Sequence, residues 1–403
     1  MNVFAVPSWY PNRLNPIEGI FNREHALAIG AARPGWHVGV SFWGQTETVL
    51  RARRPWDWPR VVAWSRERSR AELAANVFEY RNPVLQWSER ILHGRRDAIV
   101  DACRRNLDSF ARDVGSVDVL HAFVSHPGGW AAMRLSEQTG IPYVISEFMG
   151  GPFPFPAYLD AQGHLRDFVA EPLARASVRM GVSPTQIARM EELGVRDVEL
   201  VPLMVDEETF SPGRPEDVAP ATFFGVLQLI PDKGIGDLID AIPLLLQSLP
   251  AERRDAVSFR IRGDGDRARW LERAQRLGVE RHLVFLDRMT PYELREEYRR
   301  CTAFTLPSHH EAGATSVIEA LGCGRPVVST RCGAPEFLVR PEDGLLVDVA
   351  APAQLAEAFR TVLDDPARFD PGEIRRSFLE RFSRPVIVDR FEDAYRRATG
   401  AGP

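Results

Sequence analysis

The chain contains almost no lysine, although it is rich in arginine. Lysine and arginine together number 50 among 403 residues, and the only lysine is Lys233. Lysine carries a compact ammonium on a flexible stem, whereas arginine carries a planar guanidinium of different shape and reach. The chain uses arginine at every other basic position, so lysine at this position has no counterpart. The composition therefore marks Lys233 as a candidate functional residue.

The sequence also lacks paired cysteines and long apolar runs. Its four cysteines show no C-x-x-C spacing, and a chain of this length needs no disulfides, so we expect buried, reduced thiols. No apolar run approaches the roughly 18 residues of a membrane-spanning helix. No basic segment followed by an apolar one precedes the first predicted strand, so the expected location is the cytoplasm.

Excess positive charge is confined to the first part of the chain. The net charge of -5 argues against a nucleic-acid partner. Residues 1–180 nevertheless hold 21 arginines against 18 acidic residues, and residues 51–70 interleave arginines with tryptophans. Two interpretations are open for this stretch: a solvated loop, or a surface that touches an anionic acceptor or an anionic membrane. The second would place the protein peripherally at the inner membrane face.

Apolar periodicity predicts an α/β protein with two doubly wound parallel sheets. Short apolar strands alternate with amphipathic helices from Asn2 to Val182, and the alternation begins again at Thr222 after a Pro/Gly-rich joint. A chain of this length also exceeds what one hydrophobic core usually serves. We therefore predict an N-terminal domain over residues 1–200 and a second domain over residues 201–383.

The most informative stretch is LPSHHEAGATSVIEALGCGRPVVST, which begins at Leu306. Glu311 lies in the loop after a predicted strand, and Glu319 lies in the first turns of the following helix. A carboxylate can accept two hydroxyl hydrogen bonds, so this pair suits a polyhydroxylated ligand. The backbone N–H groups of Gly313, Ala314 and Thr315 at the helix start suit a phosphate. An alternative for Glu319 is a capping box with Ser316.

These residues, together with several other segments, resemble the retaining glycosyltransferases of family 4, also called glycosyl transferases group 1. The resemblance spans nearly the whole chain. The matching segments, in chain order, are SWYPNRLNPIEGIFNREHALAI, SVRMGVSP, VPLMVDEETFSP, the stretch from Leu306, and GAPEFLVRPEDGLLVDVAAPAQLAEAF. Membership implies the GT-B fold, in which two Rossmann-like domains face a central cleft. It also implies that residues 384–403 form a helix that crosses back to the first domain.

The resemblance implies roles for the donor-side residues. Glu311 would bind hydroxyls of the donor sugar, and Glu319 would bind the ribose hydroxyls. Gly19 would bring the backbone close to the diphosphate, and Lys233 would be the cation on the diphosphate. The base would be recognised near Arg288.

The resemblance also implies the reaction. A sugar would move from a nucleoside diphosphate donor, UDP- or GDP-linked, to an acceptor with retention of configuration. No metal and no resident cofactor would take part. The acceptor, whether glycan, lipid-linked or a small molecule, would lie on the first domain.

Three positions depart from the family pattern. Gln228 stands where the family has a second cation for the diphosphate, so Lys233 would carry more of the charge. In DVLHAFVSHPGGWAA, Phe123 replaces a histidine, and His126 is a candidate substitute with a catalytic role on the acceptor side. Glu147 would orient the acceptor or cap its own loop.

Two other classes remain open at this point. A phosphorylase with pyridoxal phosphate on a lysine would have to use Lys233, and those enzymes are far longer. A non-catalytic protein that binds sugar nucleotides is conceivable because Gln228, Phe123 and Phe148 replace family residues. Nucleotide binding without turnover would favour that second class.

Overall fold

The computed structural model describes residues 1–87, 91–148, 153–214, 217–219 and 221–400. Parts of two predicted segments, the Pro/Gly joint at 215–216 and the C-terminal residues 401–403, lie outside the described residues. The described chain folds into two α/β units, each built around one sheet.

The strands and helices of the first unit follow the predicted alternation, with additions between residues 58 and 113. Its strands are β1 (Asn2–Pro7), β2 (His37–Phe42), β3 (Ser69–Ala74), β4 (Val77–Arg81), β5 (Val119–Phe123), β6 (Tyr143–Glu147), β7 (Val178–Gly181) and β8 (Val198–Leu200). Its helices are α1 (Ile20–Ala32), α2 (Trp58–Trp64), α3 (Arg96–Asp113), α4 (Trp130–Thr139), α5 (Asp167–Arg175) and α6 (Pro184–Glu192).

The second unit contains six strands and the helices that follow them, and the last helix lies at the end of the described chain. Its strands are β9 (Thr222–Val226), β10 (Ser258–Arg262), β11 (Leu283–Leu286), β12 (Ala303–Leu306), β13 (Val327–Thr330) and β14 (Gly344–Val347). The helices are α7 (Ile235–Ser248), α8 (Ala251–Arg254), α9 (Arg267–Arg276), α10 (Pro291–Arg300), α11 (Thr315–Gly322), α12 (Ala334–Leu338), α13 (Pro352–Asp364), α14 (Pro371–Phe382) and the last helix, α15 (Arg384–Thr399).

Both sheets are wound outward from a central strand. The first has the order β3-β4-β2-β1-β5-β6-β7-β8, and the second has the order β11-β10-β9-β12-β13-β14. Every neighbouring pair is parallel except β3 and β4, which run antiparallel at the edge of the first sheet. The prediction of parallel sheets is therefore correct for the interior of both sheets and wrong for that edge, where an antiparallel neighbour needs only a tight turn.

The strand order fixes where a ligand can bind. The winding reverses between β1 and β5 in the first sheet and between β9 and β12 in the second. At such a reversal the loops after the two central strands diverge to opposite faces and leave a crevice at the carboxyl ends. The loops after β1, β9 and β12 carry Gly19, Lys233 and Glu311, so topology brings predicted site residues to the two crevices.

The last helix returns to the first unit. Its apolar residues Ile387, Val388, Phe391 and Tyr395 recur on one face and are buried. The hydroxyl of Tyr395 lies 2.6 Å from Nδ1 of His121, whose Nε2 lies 2.8 Å from Oγ of Ser146. His121 is fully buried and belongs to the core, as the sequence predicts for a lone strand histidine.

The four cysteines are free and buried, which confirms the prediction of reduced thiols. Burial raises the pKa of each of these thiols, so they are poor nucleophiles at neutral pH. Within the described ranges, no helix is long and apolar enough to cross a bilayer.

Candidate donor site

A cleft of about 920 Å³ opens between the two units. The crevices of both sheets face it, and both units contribute to its lining. Eight of the predicted site residues line it: Gly19, Gln228, Lys233, Glu311, Gly313, Ala314, Thr315 and Glu319. The structure therefore brings together residues that lie 300 positions apart in the chain, because α/β topology gathers the ends of central strands.

Gly19 occupies a position that only glycine fits. Its φ is +60°, and a Cβ atom added there would lie 2.5 Å from the carbonyl carbon and oxygen of Trp9. The side-chain amide of Asn22 donates a hydrogen bond of 2.7 Å to that same carbonyl oxygen. The loop after β1 is thus folded tightly onto itself, and its backbone forms one wall of the cleft with no side chain in the way.

Lys233 and Glu311 form an ion pair inside the cleft. Lys233 ends a short 3₁₀ turn, Pro231–Lys233, and is followed by Gly234 in the left-handed region. Its Nζ lies 2.7 Å from Oε1 of Glu311, and the two side chains are 21% and 14% exposed. Both groups are largely shielded from water, which strengthens the attraction between them. The cation predicted for the phosphates and the carboxylate predicted for the sugar are therefore direct neighbours.

The loop that carries Glu311 is held on three sides. The N–H of Glu311 donates to the carbonyl of Cys332 at 2.8 Å, and the N–H of Ala334 donates to the carbonyl of Glu311 at 2.9 Å. The hydroxyl of Ser308 donates to Oε1 at 2.7 Å. Among the described residues, the second carboxylate oxygen, Oε2, has no partner. Glu311 therefore offers a fixed, unsatisfied acceptor to a ligand hydroxyl.

Helix α11 begins at the floor of the cleft with strained backbone. Ala314 precedes it with φ 44° and ψ 55°, a left-handed conformation that costs a residue with a Cβ about 1–2 kcal/mol. Such strain is retained where the surrounding structure imposes it, often at ligand sites. The first N–H groups of the helix have no intrahelical acceptor, so they are available to an anion in the cleft that Lys233 also lines.

Glu319 is bound by a tyrosine and does not cap the helix. No side chain caps the N-terminus of α11, so the alternative of a capping box with Ser316 is wrong. The hydroxyl of Tyr298, on the neighbouring helix α10, donates to Oε2 of Glu319 at 2.7 Å. Desolvation by the surrounding protein raises the pKa of Glu319 to about 7, although its hydrogen bond with Tyr298 acts in the opposite direction.

The pKa of Glu319 predicts a pH-dependent affinity for a ligand that offers a diol. With a pKa of about 7, the carboxylate is mostly protonated at pH 6 and mostly ionised at pH 8. The ionised form accepts two hydroxyl hydrogen bonds, so affinity for the nucleotide should rise as the pH rises, by about tenfold between pH 6 and pH 8. Isothermal titration of the nucleotide over this range measures the effect.

The variant Glu319→Gln is the control for that titration. It keeps the shape of the side chain but cannot ionise, so it should retain only the pH dependence that the nucleotide phosphates themselves contribute. An identical pH slope in the variant and in the parent protein would contradict the role of Glu319.

Three predicted residues do not line the cleft. His126 is buried, and its ring packs 4.5 Å from that of Phe168 and 5.6 Å from that of Tyr158. Its proposed catalytic role gains no support from this placement, since an acid or base must reach the reacting atoms. Glu147 is fully buried, and its carboxylate accepts from the N–H of Ser125 at 3.0 Å, as the loop-capping alternative predicts.

Arg288 also points away from the cleft. Its guanidinium lies 3.2 Å from Oδ2 of Asp264, and more than half of its side chain is exposed. The next residue, Met289, lines the cleft instead. The loop therefore reaches the cleft through Met289 and not through Arg288, because consecutive residues of an extended loop point in different directions.

Several lining residues were given no role by the sequence. Trp9, Phe21 and Phe148 form an aromatic wall on the side of the first unit, and Arg262 lies at the end of β10. Arg262 could have been found from its position, because the last residue of a strand lies at the carboxyl edge where ligands bind. The aromatic wall carries no comparable signal, since apolar side chains near a strand are usually part of the core.

Comparison with known proteins assigns the second unit to a family. Residues 221–365, from β9 to the end of α13, match the family model described as glycosyl transferases group 1. This stretch is therefore similar to a group 1 glycosyltransferase domain. The predicted site residues that line the cleft, apart from Gly19, fall within the matched residues.

A curated relative matches part of the chain. The D-inositol 3-phosphate glycosyltransferase of Corynebacterium jeikeium is 31% identical over 224 residues, which are 51% of this chain and 53% of the relative. This chain is therefore matched to that glycosyltransferase over about half of the relative's length.

Solved glycosyltransferase structures match the whole chain in fold. Sucrose-phosphate synthase from Thermosynechococcus elongatus superposes with a TM-score of 0.70 at 20% identity, covering 100% of this chain and 99% of that one. Anabaena HepE, whose structure was solved in complex with UDP, has a TM-score of 0.67 at 16% identity and covers 97% and 98%. The predicted GT-B fold, with two Rossmann-like units facing a cleft, is confirmed.

Proposed function

We propose that this protein is a retaining, metal-independent glycosyltransferase that uses a nucleoside diphosphate sugar. The observation that carries the proposal is the juxtaposition in one cleft of Lys233, Glu311, Glu319 and the N-terminus of α11. A cation and N–H donors suit a diphosphate, and two carboxylates suit a sugar and a ribose. The UDP complex of HepE, with the same fold, supports a nucleotide donor.

In the proposed reaction, the bond between the anomeric carbon and the phosphate oxygen breaks, and the nucleoside diphosphate leaves with the bonding electrons. The acceptor oxygen forms its bond to the anomeric carbon on the same face, and its proton passes to the departing phosphate. Lys233 and the N-terminus of α11 stabilise the charge that develops on the phosphate. The aromatic wall formed by Trp9, Phe21 and Phe148 holds the acceptor from the other side.

The proposed function is tested by a binding and hydrolysis screen with UDP-, GDP- and ADP-sugars. One base class should raise the melting temperature of the protein, since a ligand that binds only the folded state stabilises it. The same sugar nucleotide should be hydrolysed slowly when no acceptor is present. Stabilisation without hydrolysis or transfer to any acceptor would favour the non-catalytic alternative, and no response to any donor would contradict both.

We also propose that residues 51–66 contact an anionic lipid surface. Trp56 and Trp58, at the start of α2, are 72% and 42% exposed. Four exposed arginines around them form no ion pair with any described residue: Arg51, Arg53, Arg54 and Arg66. Unpaired cations beside exposed indoles are typical of segments that bind the lipid headgroup region.

Reversing Arg51, Arg53 and Arg54 to glutamate is expected to weaken binding to phosphatidylglycerol vesicles by at least about 100-fold, because each basic residue contributes about 1 kcal/mol. Co-sedimentation measures this binding, and phosphatidylcholine vesicles give the uncharged baseline. The matched control reverses Arg196, Arg276 and Arg300, which are exposed elsewhere. If the control loses as much binding, or if the parent protein does not bind, the segment is an ordinary solvated loop and the proposal is wrong.

A further inference from the structure

We propose that Arg262 reads the nucleobase of the donor and selects a base that presents a carbonyl oxygen. This inference rests on the proposed function, and it adds a specificity-determining residue for which the structure shows three kinds of evidence: an unpaired charge, a fixed direction and an apolar setting.

Arg262 is the unpaired cation of the cleft. The charged residues that line the cleft are Glu18, Asp232, Lys233, Arg262, Glu311 and Glu319. Lys233 is engaged by Glu311 at 2.7 Å. Within the described part of the chain, the guanidinium of Arg262 has no ion pair and no hydrogen bond. None of its nitrogens is among the buried atoms that lack a partner, so its donors are open to the cleft and can serve a ligand.

The strand fixes the direction in which Arg262 points. Along β10, Phe259 and Ile261 are buried on one face, whereas Arg260 and Arg262 lie on the other. Arg260 pairs with Glu297 of α10 through bonds of 2.6 and 2.8 Å. Because residues two apart in a strand share a face, Arg262 points to the same side, about 7 Å nearer the carboxyl edge of the sheet.

That position lies on the β10–β11 side of the second sheet, and apolar side chains also line the cleft. Arg262 is paired in register with Val226 of β9, and its carbonyl accepts from the N–H of Leu227 at 3.0 Å. Met289, which follows β11, and Leu294, in the first turn of α10, also line the cleft. A slot with apolar walls and one planar cation suits a flat ring with a polar edge, because such a ring can lie on the walls or the guanidinium and accept hydrogen bonds at its edge.

The anionic part of the donor has other partners. Lys233 and the N-terminus of α11 form the anion site, and Glu319 is joined to α10 through Tyr298. In the sheet order β12-β9-β10, Glu311 follows β12, Lys233 follows β9, and Arg262 ends β10. This order runs in the same direction as sugar, diphosphate and base in a nucleotide sugar.

The chemistry of the guanidinium predicts which base is preferred. Arginine only donates hydrogen bonds, so it favours acceptors such as O4 of uracil or O6 and N7 of guanine. Adenine presents an amino group at the corresponding edge, where two donors would face each other. We therefore expect UDP- or GDP-linked donors to be preferred to ADP-linked ones.

Isothermal titration with UDP, GDP, ADP and inorganic diphosphate tests this inference on the full chain. The parent protein should bind UDP or GDP at least about tenfold more tightly than ADP, and Arg262→Met should remove about tenfold of that affinity while binding inorganic diphosphate as before. Arg262→Gln is a second variant, with a polar side chain of similar reach. Arg300→Met is the matched control, because Arg300 is exposed on α10 and does not line the cleft.

The outcomes separate this inference from the proposed function. If the parent protein binds none of the three nucleotides, both are wrong. If it binds them but prefers ADP, or if Arg262→Met keeps the full discrimination, only the role of Arg262 is wrong. An equal loss for all nucleotides and for inorganic diphosphate would make Arg262 a phosphate ligand and would also overturn the inference.

Discussion

Replacing Lys233 by alanine is expected to lower kcat about 100- to 1,000-fold, with little effect on folding. Lys233 is the cation beside the N-terminus of α11, and preorganised charge aimed at a leaving group contributes this much to catalysis. The free energy of unfolding should change by no more than about 1 kcal/mol, because a partly exposed ion pair contributes little. Glu311 also keeps its hydrogen bond from Ser308.

Steady-state kinetics of donor hydrolysis, with thermal denaturation as the folding control, measure this effect. Lys233→Arg keeps the charge but presents a planar fork, so we expect it to restore only part of the activity. This variant tests whether arginine can replace the only lysine of a chain that uses arginine at every other basic position. Near-normal turnover by Lys233→Ala would refute the assigned role.

Replacing Glu311 by glutamine is expected to lower turnover by about 10- to 100-fold. The carboxylate offers one unsatisfied oxygen to the ligand, and a hydrogen bond to a charged group contributes about 1.5–3 kcal/mol. The same change releases Lys233 from its ion pair. The variant should therefore bind the free nucleoside diphosphate at least as tightly as the parent protein, whereas Lys233→Ala should bind it more weakly.

Comparing the two binding curves with the two turnover numbers separates these roles. Asp237→Asn is the matched control for Glu311→Gln, because its carboxylate pairs with Nε2 of His309 at 2.6 Å and does not line the cleft. That control should keep the parent turnover. A Glu311→Gln variant that loses nucleotide affinity as severely as Lys233→Ala would contradict the assignment of Glu311 to the sugar.

The donor side of the site was predictable from sequence because its residues lie in short loops directly after apolar strands. The positions of Lys233, Glu311 and Glu319 follow from where β9 and β12 end and where α11 begins. Apolar periodicity gives the end of β12 and the start of α11 directly, whereas β9 ends three residues before the predicted Leu229. The doubly wound topology then brings the ends of central strands together without further information.

The acceptor side was predicted less well. His126 and Glu147 were chosen because their segments resemble the family's acceptor-side segments, yet both are buried outside the cleft. Whether a side chain after a strand faces the cleft or the core depends on the neighbouring helices. In this unit, α5 and the segment before it supply the rings of Phe168 and Tyr158 that pack on His126.

The sequence by itself determined the fold class, the reduced cysteines and the positions of Lys233, Glu311 and Glu319 in the cleft, because strand and helix periodicity and loop position are local properties. Only the tertiary structure decided that Lys233 and Glu311 are ion-paired, that Tyr298 binds Glu319, and that Arg262 enters the cleft unpaired. These contacts join elements that are distant in the chain. Their geometry depends on how helices pack on the sheets, which no local pattern encodes.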